Sequence, residues 1–477
     1  MKNLTPSVLL DRTMDNLRDV WTGVSTQAGR ITRGLLNLPD RKLDPSLPPA
    51  AVEDLRERIR ECLDGKGGAV SARARAADLG RAYMGLNSDG RRNFFALLAH
   101  EFAPDRDDIL ALADQLRDSE DPSGQQETEH RLREALVSPR EQLLTQFNSL
   151  PRGVKFLVDM RADLLSHLKD DPSLKNLDRD FGRLLRSWFD VGFLNMEQVT
   201  WDAPAAILEK LIAYEAVHEI ESWDDLKNRL AQSRRCYAFF HPRMPEEPLI
   251  FVEVALTEGI ARNIQDLLDL SAPRNPSNDA TTAIFYSISN TQEGLLGVSF
   301  GNFLIKQVVE DLSREMDNLK IFSTLSPIPG FRRWLEAEAL NLDHPCAGDF
   351  RKVCAFAGAD PIDPDNAKKL LGSSCFEDPA QLEKLRGPLT RLCAFYLSAT
   401  RAPGRSLDPV SRFHLTNGAR IEHVNWMGDT SPKGMAQSLG FMVNYRYILD
   451  DIEENHELYR AGERVPMSSE VRSLLKG

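Results

Sequence analysis

The sequence predicts a two-domain protein, an all-α N-terminal domain over residues 1–189 followed by an α/β domain over residues 190–477. Three observations lead there. The chain has 477 residues, more than one ordinary core accommodates. Its first half repeats apolar residues at helical spacing. After about residue 190, short runs rich in β-branched and aromatic residues appear and alternate with helical patterns.

In the first half, 91-RRNFFALLAHEFAPDRDDILALADQL-116 carries the helical period, with Pro104 and Asp105 marking a break and a new start. The pattern continues through 139-PREQLLTQFNSLPRGVKFLVDMRADLLSHLKDD-171. There Pro139 suits a first helical position, and Leu143, Phe147 and Leu150 share a face. Polar joints bearing proline or glycine occur at 38–50 and 119–130. No catalytic residue types gather here, so this half reads as a packing or assembly domain.

The second half contains the strand-like runs 235-RCYAFFH-241, 249-LIFVEVAL-256, 282-TAIFYSIS-289 and 319-LKIFSTLS-326. The first two are joined by 242-PRMPEEP-248, which reads as a hairpin connection. Helical patterns fall at 257–270, 302–316 and 380–400, and 340–372 reads as a helical insertion. The closing block, 411–455, is expected to begin as a strand, turn at Asn417-Gly418 and end in a helix.

Composition excludes several classes. No run of 18 apolar residues occurs, so no membrane-spanning helix is expected. A net charge of −12 argues against a general nucleic-acid binder while leaving room for a local anion site. The six cysteines, at 62, 236, 346, 354, 375 and 393, form no CxxC pair and suit neither zinc nor a disulfide framework. No metal site is expected. The first residues lack a secretory h-region, and the cytoplasm is the expected compartment.

Three stretches carry candidate chemistry. In 290-NTQEGLLGVSFGNFLIKQVVEDL-312 a strand leaves through Gly294, Gly297 and Gly301 straight into a helix. Glycines let an anion approach bare backbone, and a helix start supplies unpaired N–H groups. A tight connection explains the same glycines equally well. The spacing matches neither the P-loop nor the dinucleotide fingerprint. In 319-LKIFSTLSPIPGFRRWL-335 a strand runs into Ser326, which Pro327 holds extended at the strand end. No GxSxG elbow surrounds it, so an acyl-serine hydrolase is unsupported, and a turn-capping serine is the plain alternative. In 412-RFHLTNGARIEHVNW-426, alternation sends His414 to the face opposite Phe413 and Leu415, with His423 on the far arm as its competitor.

Together, 235-RCYAFFH-241, 254-VALTEGIARNIQ-265, 282–312, 322-FSTLSPIPGF-331, 412-RFHLTNGA-419, 425-NWMGD-429 and 442-MVNYRY-447 resemble the malonyl-CoA decarboxylase family. The resemblance implies a helical domain used in oligomer assembly, with a tetramer as the family's state. It also implies a catalytic domain of the GNAT acetyltransferase type that binds acyl-CoA. The implied reaction turns malonyl-CoA into acetyl-CoA and CO2 without metal or organic cofactor. Leu296, Gly297, Val298, Ser299, Phe300, Gly301 and Asn302 would form the turn holding the CoA pyrophosphate. Ser326 and His414 match the catalytic serine and histidine, and Ser287 and Tyr447 match polar residues of the same pocket. Ser299 departs from the acidic residue some relatives carry, which removes a loop-borne carboxylate and leaves the phosphate contact. Decarboxylation needs an enolate stabilised by neutral dipoles and protonated at carbon. This assigns His414 as proton donor and Ser326 as the hydroxyl orienting the substrate carboxylate. An acyl-CoA acyltransferase and a non-catalytic malonyl-CoA sensor are the alternative readings.

Overall fold

The computed structural model describes residues 13–14, 17–24, 43–65, 68–271, 279–298, 303–338, 344–356 and 383–476. Among the described residues, helices occupy most of the chain as far as Trp188, and the first strand begins at Asn195. In the helical region the rings of Trp21, Tyr83, Phe94, Phe95, Phe147 and Phe156 are fully buried and pack edge-on or tilted. Such contacts add to burial energy because ring edges meet ring faces of opposite partial charge. Pro139 opens the helix Pro139–Asn148 behind the Ser138 cap, and Leu143, Phe147 and Leu150 are all buried, as the spacing predicts.

The helix Gly153–His167 is buried on nearly every side. Phe156, Leu157, Met160 and Leu164 pack in the helical core, whereas Val154 and Val158 belong to the core under the sheet. One helix therefore serves two cores. Its polar residues must then find partners in the interior. Lys155 pairs with Asp159, and Arg161 donates to Asp178 (2.9 Å) and to the Gly294 carbonyl (2.8 Å).

Among the described residues, the sheet has eight strands. They are β1 (Asn195–Val199), β2 (Arg234–His241), β3 (Met244–Thr257), β4 (Thr282–Asn290), β5 (Ile321–Thr324), β6 (Ser326–Pro327), β9 (Arg420–Asn425) and β10 (Met442–Tyr447); β7 (Thr400–Ala402) and β8 (Arg405–Ser406) form a separate pair. The order is β1-β2-β3-β4-β5-β10-β6, with β9 also paired to β10. All pairs are antiparallel except β4 with β5. The β2–β3 hairpin forms as the sequence predicts, but its turn is tighter. Strand β3 starts at Met244, and register shifts at the end of β2 absorb the proline-bearing stretch that reads as loop. The helical pattern over 257–270 yields only the short helix Ile264–Leu268. Those over 302–316 and 380–400 yield the helices Phe303–Glu315 and Arg386–Ser398. Leu304, Ile305, Val308, Val309 and Leu312 form the buried stripe of the former. Of the 340–372 insertion, Ala347–Phe356 is helical, and Cys375 lies outside the described residues.

One irregularity positions everything that follows. Strands β4 and β5 pair only over Thr282–Phe285 and Ile321–Thr324. The Leu325 N–H still reaches the Phe285 carbonyl (2.9 Å), and beyond that the strands part. On its other side β4 carries a bulge at Tyr286, where its pairing steps from Val254–Phe285 to Glu253–Ser287. The parting leaves a gap floored by backbone that has turned away from its ladder.

Two of the three loop glycines are explained by the backbone itself. A methyl group at Gly294 would collide with the Val158 carbonyl oxygen of the shared helix, and Gly297 adopts φ +76°, the left-handed region. Gly294→Ala is expected to lower unfolding free energy by about 1–3 kcal/mol, measured as a shift in the urea midpoint, because neither backbone segment can yield cheaply.

Candidate active site

The gap between β4 and β5 opens into a cavity of about 280 Å³. Ser287 and Asn290 from β4, Ser326 from β6 and His414 supply polar groups to its wall. Val217, Ile250, Phe285, Ile305, Val410 and Phe413 are among its apolar groups. No described lining residue is charged at neutral pH, His414 included, as its environment shows below.

His414 does not sit on a strand. Asp408 caps the helix Pro409–Thr416 by accepting the Ser411 N–H (2.8 Å), Pro409 occupies the first turn, and Ser411 donates to the Leu397 carbonyl (3.0 Å). The Asp-Pro start wins over the alternating pattern because a capped first turn with pre-set φ nucleates helix. The helical period then buries Ser411, His414 and Leu415 together and leaves Phe413 41% exposed at the cavity mouth. Asn417 becomes the helix C-cap and Gly418 takes φ +78°, so the expected hairpin turn is a helix end.

The sequence-predicted catalytic residues converge. Ser326 Oγ lies 3.3 Å from His414 Nε2, and His414 Nδ1 lies 2.8 Å from the Tyr447 hydroxyl. The imidazole stacks on the Tyr445 ring at 4.6 Å between centroids. Burial without a charged partner pushes the His414 pKa down to about 3, so the ring is neutral at pH 7. Burial also holds the Tyr447 phenol well above its ordinary value, and it stays protonated. Ser287 faces the cavity too, but its hydroxyl donates to the buried Glu215 carboxylate (2.8 Å to either oxygen). Its proton is committed, leaving lone pairs for the cavity. His423, the competitor, lies at the surface beside Arg262 and Glu470.

The phosphate turn is described only in part. Leu296 is exposed, Gly297 makes the left-handed step and Val298 is buried. Ser299, Phe300, Gly301 and Asn302 lie outside the described residues.

Residues that sequence reasoning passed over complete the site. Thr324 accepts the Ser326 hydroxyl (2.9 Å) and the Tyr445 N–H (3.0 Å). Asn444 donates to the Thr324 carbonyl (2.6 Å) and accepts from Asn425 (2.7 Å). Period-2 alternation places Thr324 and Ser326 on one face, the signal that could have found Thr324. Glu215 had none, because it caps the segment after its own helix through the Val217 and His218 N–H groups (2.8 and 2.9 Å). Among the described residues no group of three or more His, Cys, Asp or Glu could hold a metal ion.

A helical region followed by a mixed sheet, with a buried serine–histidine pair where two strands part, defines the class. Family models place the chain within it. The malonyl-CoA decarboxylase N-terminal domain matches residues 102–189 and the C-terminal domain matches residues 192–477. The chain belongs to the malonyl-CoA decarboxylase family. Relatives named malonyl-CoA decarboxylase, mitochondrial, include that of Anser anser anser, 37% identical over 95% of this chain and 92% of its own. That of Rattus norvegicus is 36% identical over 100% and 98%. A crystal structure of malonyl-CoA decarboxylase from Rhodopseudomonas palustris is 42% identical with a TM-score of 0.79, covering 88% of this chain and 99% of that one. The structure from Agrobacterium vitis is 41% identical with a TM-score of 0.77 over 88% and 99%.

Two outcomes are expected. Asp408→Ala removes the cap of the His414 helix and should cost about 0.5–2 kcal/mol in thermal or urea unfolding, whereas Asp408→Asn, which still accepts the Ser411 N–H, should cost less. The depressed His414 pKa also gives a pH dependence. The unfolded chain takes up this proton below pH 6.5 and the folded protein only near pH 3, so stability is full above 6.5 and falls as pH drops toward 3. Between pH 7 and pH 5, wild type should lose on the order of 2 kcal/mol more than His414→Asn, read from urea midpoints at the two pH values.

Proposed function

We propose that this chain decarboxylates malonyl-CoA to acetyl-CoA and CO2, with His414 as proton donor and Ser326 orienting the malonyl carboxylate. One observation carries the reading: the serine–histidine pair lies in a cavity whose described lining bears no charged side chain at neutral pH. Breaking the C2–carboxylate bond sends its electrons toward the thioester oxygen. An arginine or lysine bound to the carboxylate would stabilise the ground state and slow that step. Neutral dipoles avoid this penalty. The enolate then needs a proton at C2. His414 is neutral in the empty cavity; negative charge developing on the enolate in this low-dielectric space favours the imidazolium, which takes its proton from solvent and delivers it to C2.

The remaining assignments belong to the same proposal. Tyr447 holds the imidazole through Nδ1. Ser287, whose proton goes to Glu215, offers an acceptor to a donor such as a pantetheine amide. Residues 296–302 and the start of the helix Phe303–Glu315 carry the pyrophosphate, in the manner of a GNAT-type acyl-CoA fold; the parting of β4 from β5 and the bulge at Tyr286 support this. Residues 1–189 serve as the assembly domain of a homo-oligomer, a tetramer in the resemblance. No described helix is long and apolar enough to cross a membrane. We place the protein in the cytoplasm, whose reducing conditions suit the five described free cysteines, although the animal relatives are named mitochondrial.

The test is malonyl-CoA alone, with no amine acceptor, followed by CO2 release. Wild type should turn over. His414→Asn and Ser326→Ala should each lower kcat by at least about a hundredfold while KM changes only a few-fold. Near-normal turnover in a folded variant would remove that residue from its role, and no CO2 from wild type would defeat the reading.

A further inference from the structure

The Ser326 hydroxyl has one proton and two neighbours that could take it, His414 Nε2 at 3.3 Å and Thr324 Oγ1 at 2.9 Å. The geometry gives it to Thr324, with Ser326 as donor. Ser326 then meets His414 with an oxygen lone pair, and the neutral imidazole must carry its proton on Nε2. Nδ1 is left as an acceptor, and the buried Tyr447 phenol supplies its proton there. The polarity of the chain thus runs from Tyr447 through His414 and Ser326 to Thr324. Thr324 is fully buried, and three further contacts fix it: the Tyr445 N–H on its hydroxyl, the Asn444 amide on its carbonyl and the β4–β5 pairing with Phe285.

We propose that Thr324 is the positioning residue that sets this polarity, holding the His414 proton on Nε2, the nitrogen that faces Ser326 and the cavity. The inference rests on the decarboxylase reading for its kinetic consequence, but its structural content stands apart from it. It refines the part played by Ser326. With its proton on Thr324, Ser326 gives the substrate carboxylate no hydrogen bond of its own and orients it only by holding the Nε2 proton in place, so the ground state gains little there. The donor facing the reacting end is the Nε2 proton. Removing the Thr324 hydroxyl frees the Ser326 proton to turn onto Nε2. The imidazole then has to hold its proton on Nδ1, away from the cavity.

The experiment compares wild type, Thr324→Val and Thr324→Ser by nitrogen-15 NMR of histidine-labelled protein, with His414→Asn identifying the resonance, alongside kinetics on malonyl-CoA. The expected wild-type signature is an Nε2–H tautomer at His414. Thr324→Val should shift it to Nδ1–H and lower kcat about ten- to hundredfold with KM within about twofold. Thr324→Ser, which keeps an acceptor, should restore tautomer and kcat. An Nδ1–H tautomer in wild type, or Thr324→Val with unchanged tautomer and kcat, overturns the proposal. Should Thr324→Val fail to fold, the wild-type tautomer and the Thr324→Ser kinetics still decide it. A correct tautomer in a protein that releases no CO2 would leave the positioning intact and sink the decarboxylase reading instead.

Discussion

The site depends on strand β10. It pairs with β5, β6 and β9 at once. Val443 lies opposite Ser326, the Tyr445 ring stacks under the imidazole and the Tyr447 hydroxyl meets Nδ1. Ser326 and His414 are 88 positions apart in sequence, and their approach is a by-product of one antiparallel ladder plus one capped helix. Backbone hydrogen bonds of this kind are individually modest, but as a ladder they fix side-chain placement to the precision a proton transfer needs.

The hydrogen-bonded groups also show why the cavity can be both buried and polar. Three polar side chains in its wall have a partner behind them: Thr324 behind Ser326, Tyr447 behind His414 and Glu215 behind Ser287. Without such partners the desolvation penalty would expel these groups or draw water in. The outer layer therefore does more than support. It decides which side of each hydroxyl or ring bears a proton, and so what the cavity offers to a guest.

Much of this was legible in the sequence, for identifiable reasons. Residues whose role follows from local period or from a rigid dipeptide were readable: Pro139 at a helix start, the β2–β3 hairpin, and Ser326 held at a strand end by Pro327. His414 was read as a site residue on the wrong element. Its neighbourhood alternates like a strand, and the decisive signal, Asp408-Pro409, lies upstream of the pattern. Glu215 was invisible because its partners, Ser287 and Ser289, lie more than 70 positions away. Thr324 was hidden in plain view, one alternation step from a serine that had already been chosen. The parting of β4 from β5, which creates the cavity, leaves no local trace, since it arises from where each strand finds its next partner.

The helix Gly153–His167 joins the two halves more intimately than a linker would. With Val154 and Val158 under the sheet and Phe156, Leu157 and Met160 among the helical core's rings, it cannot leave either side without opening a hole in it. The two cores are then expected to melt as one cooperative unit. A small rotation of this helix, such as association of the helical region could impose, would be felt first at Gly294, which its backbone touches and Arg161 grips, at the entrance to the glycine turn.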